Sequence, residues 1–253
     1  KIIFIVILAV LMLLLTVSIN HQLRLNAEAE LRLPLGQMVG VEGHNMSIYV
    51  DGTGETTLVF MSGGGTCSPI LDFKSLYSLL SGKYQIAVVE KFGYGFSDVV
   101  DKSRDIDSIL EDTRTALAAA GLNAPYVLCP HSMSGLEALY WAQKYPDEVS
   151  AIIGLDMAVP EYYDSMTINM PLMRAAGWAA HIGITRFIPG ISDSDAIQHG
   201  TLSESEKEIY RAVFFSRTAT VTMLNEMERV KENAEKVSSM GVPQLPMLLF
   251  LSD

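Results

Sequence analysis

The chain has 253 residues, of which 49% are hydrophobic and 19% charged, and these proportions favour a folded domain over a disordered chain. Its formal net charge is −11 and no segment gathers lysine and arginine, so nucleic acid is excluded as an expected partner. The two cysteines, Cys67 and Cys129, fall in a predicted loop and a predicted strand, which favours neither a disulfide framework nor a metal site.

The first residues form a candidate membrane anchor. The segment from Ile2 to Ile19 carries no charge, and a helix that crosses a bilayer needs roughly 20 mainly apolar residues. We therefore interpret residues 1–20 as a transmembrane anchor and residues 21–37 as a tether. A cleaved secretory signal is the alternative, although its apolar region is usually shorter, at about 7 to 15 residues. In both cases the rest of the chain is expected outside the cytoplasm.

The segment 38–253 is predicted to fold as one domain. It begins with two strands around Gly43 and His44, which predict an antiparallel hairpin. Continuous apolar runs, each long enough for a buried strand, then alternate with helical segments. The runs lie at 57–62, 84–90, 126–130 and 151–156, and the helices near 70–82, 105–120 and 134–145. This alternation is typical of an α/β fold with a doubly wound, mostly parallel sheet.

The alternation stops between Met157 and about Met240. This part of the chain reads as helical, so we predict a helical cap inserted at about 157–240. A further apolar run at 246–252 resumes the strand pattern. Several cap side chains are candidates for lining an apolar pocket for an acyl group, although most of them are expected simply to pack the cap. They are Met170, Met173, Trp178, Phe187, Phe214 and Phe215.

The strand at 126–130 turns directly into a helix through the sequence LCPHSMSG at 128–135. A tight strand-to-helix turn that exposes a serine hydroxyl needs small residues two positions before and after the serine. With Ser134 as the exposed serine, the bulky Leu136 would occupy one of these positions. Ser132 has Pro130 and Ser134 there, so we predict Ser132 as the nucleophile.

This turn resembles the GHSMGG nucleophile elbow of the α/β-hydrolase superfamily, with Pro130 and Ser134 where that family usually has glycine. Upstream, MSGGGT at 61–66 resembles the superfamily's His-Gly oxyanion loop, with Ser62 in place of the histidine. The segment VVEKFGYGFSD at 88–98 is similar to the one that follows the fourth strand in this superfamily, with Glu90 and Phe92 in place of Asp and Arg. The three motifs occur in the family's order, and the resemblance covers about residues 38–160.

The resemblance implies the roles of individual residues. The backbone N–H groups of Gly64 and Met133 would stabilise the oxyanion, and Gly65 would contact the substrate. For the acid that orients the base, Asp156 at the end of the sixth strand is the first candidate and Asp253 the second. No metal or organic cofactor is needed for this chemistry, and the expected substrate is a small acyl compound.

The family's order of catalytic groups also implies a histidine after the last strand. None of the sequence's histidines occupies that position, so we expect the base to lie beyond Asp253. These histidines are His21, His44, His131, His181 and His199. A non-catalytic binding or receptor protein on the same fold remains an alternative function, as does a peptidase for small peptides.

Overall fold

The computed structural model describes residues 1–252, so Asp253, the second candidate for the acid, lies outside the described residues. Within this range one seven-stranded sheet is covered by helices. The strands are β1 Gln37–Val41, β2 His44–Asp51, β3 Thr57–Met61, β4 Gln85–Glu90, β5 Tyr126–Ser132, β6 Val149–Met157 and β7 Met247–Phe250. The α-helices are α1 Ile2–Ala27, α2 Pro69–Asp72, α3 Lys74–Leu80, α4 Ile106–Ala119, α5 Ser134–Lys144, α6 Met170–His181, α7 Asp195–Gln198, α8 Glu204–Arg217 and α9 Val221–Ser239.

The sheet has the strand order β1-β2-β4-β3-β5-β6-β7. Strand β2 runs antiparallel to β1 and β4, and the other neighbouring strands in the described part of the chain run parallel. Met61 at the end of β3 lies beside Pro130 of β5, and Ser132 lies beside Met157 of β6. The carboxyl ends of β3, β5 and β6 therefore meet at one edge of the sheet, where this class of fold carries its ligand sites.

The predicted hairpin is formed by β1 and β2. Val41 pairs with His44, so the connection is the two-residue turn Glu42-Gly43. Both turn residues have positive φ, +48° for Glu42 and +81° for Gly43, as the twist of a tight hairpin requires. The structure thus places His44 in β2 itself, with its ring 5.9 Å from the ring of Phe92.

The core lies on both faces of the central strands. All five residues of β3 are buried, which explains the continuous apolar run at this position. Helix α4 begins at Asp105, whose side chain accepts a hydrogen bond from the Ser108 N–H at 3.0 Å. Helix α5 packs beside it and buries Trp141 almost completely, so the helix that starts at the Ser132 turn is fixed by the main core.

The segment between β6 and β7 consists of helices joined by turns and irregular stretches, as its sequence pattern predicts. Its last two helices, α8 and α9, contribute residues to the core of the sheet. Val230, Ala234 and Val237 of α9 belong to the same core cluster as β3, β5 and α5. Val213 of α8 belongs to a second core cluster, with Phe60 of β3 and Cys129 of β5. The part of the proposed cap that stands apart from the sheet layer is therefore α6 and α7, while α8 and α9 pack against the sheet.

Helix α1 is long and apolar enough to cross a membrane, with a mean hydropathy of 3.3 in its most apolar window and none of that window buried. It does not end at residue 20 but continues to Ala27, through the first part of the predicted tether. At this end His21 is buried against the domain. The Arg186 side chain donates hydrogen bonds to His21 Nδ1 at 2.9 Å and to the Glu28 carboxylate at 2.6 and 2.8 Å.

Candidate active site

The turn between β5 and α5 holds Ser132 in a backbone conformation that side chains rarely adopt. Its φ is +51°, in the left-handed region, which costs roughly 1 to 3 kcal/mol for a residue other than glycine. The carbonyl of Ser132 accepts a hydrogen bond from Ala158 N–H at 2.8 Å, which ties the turn to the end of β6. The neighbouring strands therefore maintain the strain, and such maintained strain is common where a side chain must be presented for chemistry.

Ser134 occupies the place of the usual glycine by forming hydrogen bonds within the turn. It is almost fully buried. Its hydroxyl donates to the carbonyl oxygen of Met61, at 2.7 Å, and accepts from His131 N–H, at 3.0 Å. The next residue, Gly135, has no space for a side chain because a β-carbon would collide with the carbonyl oxygen of Ala158. The requirement for small residues after Ser132 is thus met by Ser134 and Gly135 together.

The triple-glycine loop after β3 packs directly on this turn. A β-carbon on Gly63 would lie 2.8 Å from Ser132 Cβ and 3.2 Å from the His131 carbonyl oxygen, so only glycine fits. A β-carbon on Gly64 would meet the flexible end of the Met133 side chain at 2.8 Å. The loop therefore lies against both Ser132 and Met133. Gly64 and Gly65 are the predicted site residues of this loop, and the structure adds Gly63, which packs on Ser132 itself.

Gly65 is connected to a buried charged network that sequence analysis also missed. Its N–H donates to the hydroxyl of Tyr94 at 3.4 Å, and that hydroxyl donates to the Glu226 carboxylate at 2.7 Å. Glu226 also forms a buried ion pair with Lys91. Burial alone would raise the pKa of Glu226, but Lys91 and Arg104 outweigh it and hold that pKa below its usual value. Tyr94 thus links the glycine loop to helix α9.

In the segment that resembles the superfamily's post-β4 motif, Glu90 has a structural role. Glu90 is fully buried, and its carboxylate accepts a hydrogen bond from Phe96 N–H at 2.9 Å. Burial raises the pKa of Glu90 to about 7. Gly95 must be glycine because a β-carbon there would collide with this carboxylate. Glu90 therefore holds the loop that presents Tyr94.

Asp156 lies at the carboxyl end of β6, next to the residue that pairs with Ser132. It has a φ of +50°, so it too is held in the left-handed region. The Ser252 hydroxyl donates to its carboxylate at 2.6 Å, and the Ser252 N–H does so at 3.3 Å. These hydrogen bonds lower the pKa of Asp156, which keeps its carboxylate ionised. An exposed, ionised carboxylate at this edge of the sheet is available to a partner side chain.

The histidines take up different positions around the fold. His131 precedes Ser132, and its ring lies 6.3 Å from that of Phe73; partial burial lowers its pKa, and the nearby Asp156 opposes that shift. His21 and His181 line a cavity beside α1, and His199 follows α7. Within residues 1–252, the one histidine ring that forms a hydrogen bond is that of His21, so no described histidine is hydrogen-bonded to Ser132.

A cavity of about 490 Å³ opens beside the glycine loop. Its lining includes Gly64, Gly65, His131, Asp72, Tyr210 and Phe214. Burial raises the pKa of Asp72 to about 7, and the Tyr210 hydroxyl donates to its carboxylate at 3.1 Å. This volume is in the range of small-molecule sites.

The other aromatic residues predicted for an acyl pocket lie elsewhere. Trp178 and Phe215 line a second cavity, beside α1. Phe187 is exposed at the surface. Of the predicted set, Phe214 is the residue found at the cavity beside the glycine loop.

The mostly parallel sheet, the strand-to-helix turn at Ser132 and the helices inserted before β7 define the α/β-hydrolase fold, as solved structures also show. Cfl2 from Burkholderia cenocepacia is 18% identical, with a TM-score of 0.64 over 84% of this chain and 78% of that one. An enol-lactonase from Burkholderia xenovorans LB400 is 16% identical, with a TM-score of 0.62 over 85% of this chain and 80% of that one. For epoxide hydrolase A from Mycobacterium thermoresistibile the identity is 18% and the TM-score 0.62, over 86% and 82% of the two chains.

The chain belongs to the family of the uncharacterized protein YbdG of Bacillus subtilis (strain 168). The two sequences are 41% identical over 257 aligned positions, which cover 99% of this chain and 79% of YbdG. An uncharacterized protein of Schizosaccharomyces pombe is 28% identical over 114 residues, which are 44% of this chain and 21% of the yeast protein. No protein-family model matches the sequence.

Proposed function

We propose that this protein is a membrane-anchored serine hydrolase that cleaves an ester or related acyl substrate through an acyl-enzyme on Ser132. The observation that carries the proposal is the backbone at Ser132, which has a φ of +51° at a strand-to-helix turn. Gly63 packs so closely on this turn that no side chain fits between them. Strain of this kind is characteristic of the nucleophile elbow, because it presents the serine hydroxyl above the sheet.

In the proposed reaction the Ser132 oxygen attacks the substrate carbonyl while a histidine accepts the hydroxyl proton. The negative charge that develops on the carbonyl oxygen is stabilised by the N–H groups of Gly64 and Met133. The leaving alcohol takes the proton back from the histidine, and water then releases the acid by the same steps. Asp156 is the proposed acid that orients the histidine.

The cavity of about 490 Å³ beside the glycine loop is the proposed acyl site. Gly65 is proposed to contact the substrate there through its backbone, since a glycine lets a substrate approach closely. Phe214 supplies an apolar part of the lining, whereas Asp72 and Tyr210 supply polar groups. This lining fits a small acyl compound with one polar group.

Helix α1 is the proposed single membrane anchor, with the catalytic domain outside the cytoplasm. The supporting observations are its apolar length and the way in which its last turn docks on the domain through His21, Glu28 and Arg186. A signal segment that is removed would not need a built contact with the folded domain. Alkaline carbonate extraction of membranes tests this part, since an anchored protein stays in the pellet and a cleaved one is extracted.

The experiment that tests the proposed chemistry is labelling of the full-length protein with a fluorophosphonate probe. Wild type and the control Ser78→Ala, a change on exposed helix α3, are expected to label equally. Ser132→Ala is expected to lose labelling and ester hydrolysis by about a thousandfold or more. If Ser132→Ala labels like wild type, another residue is the nucleophile and the assignment of Ser132 is wrong. If wild type does not label at all, the non-catalytic binding function replaces the enzyme. A panel of esters and small peptides then separates an esterase from a peptidase.

A further inference from the structure

A second cavity, of about 520 Å³, lies where α1 meets the domain, and the proposed reaction makes no use of it. Its walls come from the last turns of α1, from the segment before β1, and from α6, α8 and the start of α9. Apolar side chains form part of the surface, among them Leu25, Trp178 and Leu224. Thr218 separates this cavity from the one beside the glycine loop, because its hydroxyl contacts Cys67, which lines the other cavity, at 3.5 Å.

Two arginines line this cavity without a carboxylate partner. Arg32 donates one hydrogen bond to the Leu25 carbonyl at 2.7 Å, while its buried Nε has no partner among the described residues. Arg217 donates from Nε to the Gly95 carbonyl at 2.8 Å. Within residues 1–252 no carboxylate lies within 4 Å of either guanidinium.

Most lysines and arginines of the described residues form a salt bridge with a carboxylate, whereas Arg32 and Arg217 do not. The chain carries 29 acidic and 18 basic residues, yet the acid nearest to the junction, Glu28, is already occupied by Arg186. Glu90 and Asp98 influence Arg217 from a greater distance, but burial and the charge of Arg32 together lower its pKa. Two cations that repel each other across a cavity in an acidic protein indicate that an anion belongs between them.

The position of the cavity along α1 indicates that the anion belongs to the headgroup region of the membrane. The apolar segment ends near Ile19, and each helical residue adds about 1.5 Å, so the α1 residues that line the cavity, from His21 to Leu25, lie roughly 3 to 9 Å beyond the apolar segment. The polar headgroup region occupies about 5 to 8 Å on each side of the hydrocarbon core. Trp178, which is 54% exposed, lines the same cavity, and tryptophan is enriched at the interface between membrane and water.

We propose that this cavity binds the phosphate headgroup of an anionic membrane phospholipid between Arg32 and Arg217, with the acyl chains leaving past Leu25 and Trp178 into the bilayer. The site rests on the proposed placement of α1 in the membrane but not on the chemistry at Ser132. A bound phospholipid neutralises the two guanidinium groups and fastens the cap to the membrane surface, so the cavity is a lipid-binding site distinct from the acyl site.

The test measures the melting temperature of the full chain in a neutral detergent as phosphatidylglycerol, phosphatidylcholine or inorganic phosphate is added. Phosphatidylglycerol is expected to raise the melting temperature in proportion to the logarithm of its concentration, and the other two to raise it far less. Arg32→Gln and Arg217→Gln are each expected to lower the apparent affinity for phosphatidylglycerol about tenfold or more, because a hydrogen bond to a charged group contributes about 1.5 to 3 kcal/mol. Arg174→Gln, which removes an exposed arginine of α6 with its own partner Glu228, is the matched control and keeps the wild-type response.

Several outcomes overturn the proposal. They are an equal shift with phosphatidylcholine, an equal shift with inorganic phosphate, and a wild-type response in Arg32→Gln. Arg32 lies in a short turn outside the core, so this variant remains informative even if Arg217→Gln fails to fold. Ser132→Ala is expected to keep the full lipid response, so loss of labelling without loss of the lipid shift separates the catalytic proposal from this one. Carbonate extraction reports separately on the placement of α1.

Discussion

The turn at Ser132 and the junction between α1 and the cap are stabilised by different interactions. At the turn, backbone hydrogen bonds and close glycine contacts hold Ser132 at a φ of +51°, with no space left around it on the side of the loop. At the junction, charged side chains surround a cavity of about 520 Å³, and two arginines there lack a carboxylate partner among the described residues. Backbone strain that the surrounding structure maintains indicates a catalytic site, whereas unneutralised charge around a cavity indicates a binding site for an ion of opposite charge.

This difference predicts that substitutions at the two regions affect different measurements. Changes around the turn are expected to reduce the reaction rate and leave the contact of α1 unchanged. Changes at the junction are expected to alter how α1 is held and leave fluorophosphonate labelling unchanged. The following substitutions test that separation.

Asp156→Asn is expected to have the largest effect of these changes, a fall in kcat on the order of a thousandfold or more, because an amide in place of the carboxylate misorients the base. Because the pKa of Asp156 is lowered, its carboxylate stays charged even as the pH falls toward the usual pKa of an aspartate. The fall in kcat at acidic pH is therefore expected to follow the protonation of the histidine base. Asp147→Asn, in a short turn before β6, is the control. Wild-type kcat in Asp156→Asn would assign the acid to another residue.

Gly63→Ala is expected to lower the labelling rate about a hundredfold, because the new methyl group forces the loop away from Ser132 by an ångström or so. Gly82→Ala is the matched control, since a β-carbon there meets nothing within 4 Å. Stopped-flow labelling of both variants measures the difference. Equal rates would mean that the loop does not contribute to the site.

Tyr94→Phe is expected to reduce kcat about tenfold with little change in KM, because the lost hydrogen bond loosens the glycine loop without touching the substrate. Tyr94 is thus a positioning residue. Tyr145→Phe removes a similar bond to a glutamate, Glu111, far from the turn and serves as the control. A rise in KM at constant kcat would instead indicate that Tyr94 contacts the substrate.

Arg186→Gln is expected to have the smallest effect on catalysis of these changes, and to loosen the contact between α1 and the domain. It removes the hydrogen bonds to Glu28 and His21, so trypsin should cleave after Arg24 or Arg32 a few times faster than in wild type. Arg174→Gln again provides the comparison. Unchanged proteolysis would show that α1 is held by other contacts, and a loss of labelling would contradict the separation of the two regions.

The sequence predicted most of the sheet because its buried strands are continuous apolar runs and its hairpin has a clear turn. The α/β fold with a mostly parallel sheet is confirmed, and β3 to β6 lie within a few residues of their predicted positions. The extent of α1 was less predictable, since its last turns are set by contact with Arg186, far along the chain.

The parts of the candidate site that escaped prediction depend on contacts between distant residues. The Tyr94 to Glu226 hydrogen bond joins the loop after β4 to helix α9, and neither residue has a local pattern that identifies it. Gly63 was one of three consecutive glycines, and only the packing on Ser132 distinguishes it from its neighbours. Similarly, no sequence pattern distinguishes Arg32 and Arg217 from other arginines, and only the fold brings both to one cavity.

The most direct test of the catalytic account is the crystal structure of the full chain after reaction with a fluorophosphonate. The account predicts a covalent bond from phosphorus to Ser132 Oγ, with the phosphonyl oxygen about 3 Å from the backbone nitrogens of Gly64 and Met133. A phosphorus bound to another residue, or a phosphonyl oxygen directed away from the glycine loop, would contradict it.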